Sequence, residues 1–132
     1  MEQEPPEQQP EGKPCNMIEI RDASAALLEA ERLLAGPEDV WTGPWRVCAA
    51  VPLAAILLAV ANGLDGRVEL AAVRDVASQP APDSDRPEVP SWVSIARLCP
   101  DEVLARRLMM VAEYSVLQRD SIKAVMVEAL AR

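Results

Sequence analysis

Histidine is absent from this sequence, and so is phenylalanine. Without histidine there is no Ser/His or Cys/His nucleophile pair and no His-containing zinc site. Glycine-rich phosphate loops are missing too. Neither G-x-x-x-x-G-K-[ST] nor G-x-G-x-x-G occurs, and the close glycines Gly63 and Gly66 only flank a turn. The aromatic set is Trp41, Trp45, Trp92 and Tyr114. A core must therefore be built from Ala, Leu, Val and Ile, and the first two fit helices at little entropic cost. No C-x-x-C joins Cys15, Cys48 and Cys99. The odd cysteine count and an acidic start without an apolar segment predict free thiols in a reducing cytoplasm, with no secretory signal, in preference to a Cys48–Cys99 bridge. Carboxylates are plentiful, but none sits in an otherwise apolar segment that would tune an acid/base pair. The expectation is a chain that is not an enzyme and uses no cofactor and no metal.

What is present is uneven. The formal net charge is -8 over 132 residues, half of them hydrophobic. Residues 1–90 carry 7 basic and 16 acidic groups, and residues 91–132 carry 6 and 5. An acidic chain repels phosphate at long range, so strong nucleic-acid binding is not expected. A weak local contact from Arg97, Arg106, Arg107, Arg119 and Lys123 stays open. With Arg132 these are the basic groups of the last third. They read either as phosphate contacts or as a solvated helix face interleaved with Glu102, Glu113 and Asp120.

The first fourteen residues, MEQEPPEQQPEGKP, hold four prolines, four glutamates and three glutamines. Such a composition buries too little surface to offset its ordering entropy, so residues 1–16 are expected to be a disordered acidic tail. Residues 17–132 then form one helical domain. DASAALLEAERLLAG reads as a first helix, capped by Asp22 and stopped by Gly36-Pro37, with Leu27, Leu28 and Leu34 recurring at helical spacing. Trp41 and Trp45 follow around Gly43-Pro44, either as an aromatic anchor for a partner or as a cover over the mouth of the core.

The uncharged run Val47–Ala61 contains fifteen residues, six of them alanine. As a helix it would span about 22 Å against roughly 30 Å of bilayer hydrocarbon, which favours a buried central helix over a membrane span. Pro52 should kink that helix or mark its first turn. Asp65 reads as the cap of a third helix, GRVELAAVRDVAS. The Val68/Leu70 alternation is too short to predict a strand. The stretch 79–90, with four prolines, is a loop. Ser91–Leu98 is left open between short helix and strand. Beyond Pro100 a helix places Leu104, Leu108, Val111 and Ser115 inward and pairs Glu102 with Arg106. A break near Gln118–Asp120 precedes a last helix with Ile122, Val125, Met126 and Ala129 inward.

Two resemblances extend this. VSIARLCPDEVLARRL and the later VEALAR look like the strand, Pro-acidic helix start and E-A-L helix end of ribbon-helix-helix repressors and antitoxins. That likeness implies an intertwined dimer whose strand, Trp92–Arg97 here, reads the major groove. Arg97 is the one polar, base-reading type in that segment besides Ser94.

The other resemblance covers Met17 to Arg132. IRDASAALLEAERLL, GPW with AA and PLAAILLAVA, GRVELAAVRDV, PSWVSIARLCPDEVLARRL and QRDSIKAVMVEALA follow one another. This order resembles the all-α domain of conjugative type IV secretion coupling proteins of the TraG/TraD class. In that family the domain lies between the nucleotide-binding motifs of a hexameric ATPase, at the cytoplasmic mouth of the channel, and helps receive relaxase and DNA. The resemblance implies an all-α, compact bundle of about five helices. It also implies a non-catalytic interaction or adaptor module whose partners are a coupling ATPase, a relaxase or another transfer substrate. The length, alanine content and Pro52 of the run Val47–Ala61 predict no membrane insertion. Trp41, Trp45, Arg97, Arg106, Arg107, Arg119 and Lys123 are the candidate contact residues. The alternative is the dimeric DNA-binding regulator.

Overall fold

The computed structural model describes residues 17–35, 43–63, 65–82 and 84–131. The acidic tail 1–16 and Trp41 lie outside them. The described residues form six helices and one two-stranded sheet. In chain order these are β1 (Met17–Glu19), α1 (Ala23–Leu34), α2 (Gly43–Gly63), β2 (Arg67–Glu69), α3 (Leu70–Ala77), α4 (Trp92–Ala96), α5 (Glu102–Ala112) and α6 (Val116–Ala131). The architecture is a helical bundle, as the Ala/Leu composition predicts, with one more helix than expected.

α2 is the spine. It is apolar on every side, the pattern of a helix enclosed by others, and α1, β2, α3, α4, α5 and α6 all pack on it. Leu53, Ala54, Ala55, Ile56, Leu57 and Ala61 have no exposed surface. Full burial of each Leu or Ile side chain contributes roughly 1.5–3 kcal/mol. The length argument against a membrane span does not survive. The helix has 21 residues, which is about 31 Å at 1.5 Å per residue. By length and composition Pro44–Gly63 could cross a bilayer. The packing of five helices around it is instead that of a core helix, compatible with a soluble protein. Pro52 does not mark the first turn. It lies buried inside the helix and leaves the Cys48 carbonyl, one turn back on the exposed side, without its usual amide partner.

α1 shows a second correction. Asp22 caps it, its carboxylate accepting from the Ala25 N–H at 2.8 Å. The buried face is Ala26, Ala30 and Leu34, however, while Leu28 is 68 % exposed and Leu27 only half-buried. α1 makes the most extensive helix contact in the molecule, with α2. Alanines on both sides suit an approach at the short end of the ~8–10 Å range.

Between α2 and α3 the chain turns through two left-handed residues, Asp65 at φ 58° and Gly66 at φ 88°. Asp65 is therefore a turn residue rather than the cap of α3. The cap position is Glu69, which uses no side-chain hydrogen bond. The turn brings β2 antiparallel to β1, with Ile18 opposite Val68. The Ile20 N–H donates to the Gly66 carbonyl at 2.7 Å. Val68 is fully buried between exposed Arg67 and Glu69. The atoms nearest to a methyl group on Gly66 would be the guanidinium end of Arg21, an exposed side chain that can swing aside. The cost of Gly66→Ala is thus the left-handed backbone itself, about 1–2 kcal/mol. Denaturant unfolding should register that loss. An unchanged midpoint would show that the turn is not held at positive φ.

α4 settles the open choice at Ser91–Leu98. Ser91 is a buried N-cap that exchanges hydrogen bonds with Ser94 as a capping box. Trp92 is fully buried. Its backbone N–H donates to the Gln79 carbonyl and its Nε1–H to the Ala77 carbonyl, both at 3.0 Å. One residue thus ties the start of α4 to the end of α3 and closes the proline-rich loop 79–90.

Candidate contact surface on α5 and the α5–α6 turn

α5 begins at Asp101, whose carboxylate accepts from the Leu104 N–H at 2.9 Å. Glu102 in the first turn faces the positive end of the helix dipole. Leu104, Leu108, Val111 and Ala112 are buried against α2 and α4. Ser115 does not join that stripe. The helix stops at its cap residue Glu113, and Ser115 is exposed beyond it. The break therefore falls at 113–115 and not at Gln118–Asp120. The Ser115 hydroxyl accepts from the Gln118 N–H at 3.3 Å and donates to the Gln118 side chain at 3.2 Å, which starts α6.

α6 then packs on α2, α3 and α1, not along α5, although the two helices are consecutive. Ile122, Val125, Met126 and Ala129 are inward, as their spacing predicts. The divergence leaves one flank of α5 without a helical neighbour. Val103 and Met110 lie seven residues apart on that flank and are exposed, Val103 by 72 %. Tyr114, Val116 and Leu117 continue the apolar surface around the turn, with Leu117 78 % exposed. Six of the eight large hydrophobic side chains that stay exposed among the described residues fall between Leu98 and Leu117. Apolar patches mark contact surfaces on proteins, whereas singly scattered leucines do not.

The basic candidates divide around this surface. Arg97, Arg106 and Arg107 are exposed. Arg106 also pairs with Glu102 at 3.2 Å, the i,i+4 pair its spacing predicts. Such an exposed pair contributes little to stability, roughly 0.3–0.5 kcal/mol. Arg119 has a different place. It folds back on the end of α5, where its guanidinium donates to the Ala112 carbonyl at 3.3 Å and its Nε is enclosed without a hydrogen-bond partner. It closes a helix terminus. Lys123, one turn further along α6, is half-buried. Trp45 is also half-buried and packs against the core from the first turns of α2.

The periodicity of α5 identified Leu104, Leu108 and Val111 as core but not Val103 and Met110 as exposed apolar residues. The signal was present. α5 carries more apolar residues than one buried stripe can hold, and Val103 and Met110 fall off that stripe.

Both described cysteines are free, Cys48 exposed and Cys99 half-buried. Burial pushes the Cys99 thiol above its ordinary pKa, which makes it a poor thiolate. A shallow cleft of about 180 Å³ lies near Ile20, Leu58, Asp65 and Pro100. No group of three or more metal-binding side chains comes together among the described residues. No family model, no curated protein and no solved structure matches this chain.

Proposed function

We propose that this chain is a non-catalytic helical adaptor that holds a macromolecular partner on the surface formed by α5 and the α5–α6 turn. The observation that carries this reading is the concentration of exposed apolar side chains there, beside Arg97, Arg106 and Arg107. The order of sequence segments resembles the substrate-receiving domain of conjugative coupling proteins. In that light the partner is a coupling ATPase or a relaxase, met in the cytoplasm. The alternative, a ribbon-helix-helix regulator, needs a strand over Trp92–Arg97 that pairs with a second chain. That segment is the buried helix α4, so no observation favours it.

Affinity capture with the tagged chain from a DNA-donor cell tests the reading. Recovery of a coupling ATPase or a relaxase is expected. Capture that repeatedly recovers neither would refute it. Arg106→Glu combined with Arg107→Glu should leave the melting temperature within a few degrees of the parent, because both side chains are exposed. The same change should abolish partner recovery. Undiminished recovery would mean that this basic face is only solvated.

A further inference from the structure

The open flank of α5 has a property that selects its occupant. Arg106 and Glu113 are seven residues apart, almost two full turns, so they lie on the same side of the helix to within about 20°. They bracket Met110, bear opposite charges, and both are exposed. When two copies of a helix meet antiparallel about a two-fold axis, the same flank of each meets in reverse order. With Met110 beside the axis, Arg106 of one copy comes opposite Glu113 of the other, and the second pair repeats the first. The same register runs Val103 toward the end of the other copy's α5, where the chain turns. One two-fold operation thus brings Met110 against its own copy and Arg106, whose exposed partner in the free chain is Glu102, against Glu113.

We infer that this face binds a second copy of the chain, forming a reversible two-fold dimer through antiparallel α5 helices. Electrostatics on the larger scale agree. The chain carries -8 overall, but residues 91–132 hold 6 basic and 5 acidic groups, so copies approach there with the least repulsion. A contact built on one helix and one turn falls at the small end of protein interfaces, below roughly 1,200 Å² in total, and gives an association that depends on concentration. The inference rests on the proposed function only in taking this face as a contact surface, and it makes self-association and partner capture compete for that face.

Light scattering of the purified full chain, from low micromolar to millimolar concentration, tests it. The mass should rise toward twice the chain's 14.3 kDa. Arg106→Glu alone and Glu113→Arg alone should each weaken dimerisation about tenfold or more, by placing like charges across the axis. The double swap should restore it, because the complementarity returns with the signs exchanged. Circular dichroism melts of each variant separate loss of association from loss of folding. A chain that stays monomeric, or a dimer indifferent to the single reversals, overturns the inference. A monomer that still captures a coupling ATPase would leave the adaptor function standing while refuting the dimer. A dimer that captures neither ATPase nor relaxase would do the reverse.

Discussion

Leu57→Asp unfolds the domain. Leu57 has no exposed surface and sits in the middle of α2, the helix on which every other helix packs. Truncating a fully buried leucine costs about 2–5 kcal/mol through lost transfer energy and the cavity left behind. A carboxylate at that position adds the cost of a buried polar group with nothing to pair with, again several kcal/mol. The core consists of Ala, Val, Leu and Ile with Met126 and Trp92, and the Trp92 indole N–H is already given to the Ala77 carbonyl. Since a domain of this size is stable by only about 5–15 kcal/mol, the two terms together are enough to remove the native state. Circular dichroism and thermal melting of the variant measure this directly. A melt like that of the parent would mean that α2 is not the core.

Trp92→Ala has the second-largest effect, through a different combination of terms. Removing a large buried aromatic costs about 3–5 kcal/mol. Here the indole N–H is also the partner of the Ala77 carbonyl at the end of α3. Without it that acceptor is left buried and unpaired, a further ~1–3 kcal/mol. Trp92→Phe separates the terms, because it keeps most of the volume and loses the donor. Stability should fall in the order parent, Phe, Ala. Equal stabilities for Phe and Ala would show that the hydrogen bond, rather than packing, holds α4 to α3.

These two positions show what was legible from sequence. The spine was, because an uncharged fifteen-residue run needs no partner to be recognised as buried. The cap Asp22 and the inward face of α6 were legible too, since both depend on neighbours within a turn or two. The β1–β2 pairing was not. It joins residues about fifty positions apart through strands of three residues each, and no local period carries that information. The face of α1 was misread for a related reason. Leucine spacing predicts which residues can be buried. The close fit against an alanine-rich α2 decides that Ala26 and Ala30 are buried instead.

The break between α5 and α6 carries neither Gly nor Pro, so the usual punctuation failed. The S-x-x-Q pattern at Ser115–Gln118 was the available signal, and its hydrogen bonds are the ones that start α6. The contact surface depends on this same break. Were the helices continuous to Asp120, Val116 and Leu117 would lie along α5. Instead they stand at a corner from which the two helices diverge. Arg106 and Arg107 were recognisable as surface residues. That the surface around them is apolar followed only from the absence of a helix beside that flank.

The central claim is that the apolar side chains at this corner remain outside while α2, α4 and α6 enclose the core. Methionine oxidation by dilute peroxide, read by mass spectrometry on the intact folded chain, tests it most directly. Met110 is 49 % exposed on the open flank, and Met126 is fully buried in α6. At concentrations too low for self-association Met110 should oxidise rapidly and Met126 only on the timescale of unfolding. Equal rates at the two positions, or faster oxidation of Met126, would contradict the placement of both core and contact surface.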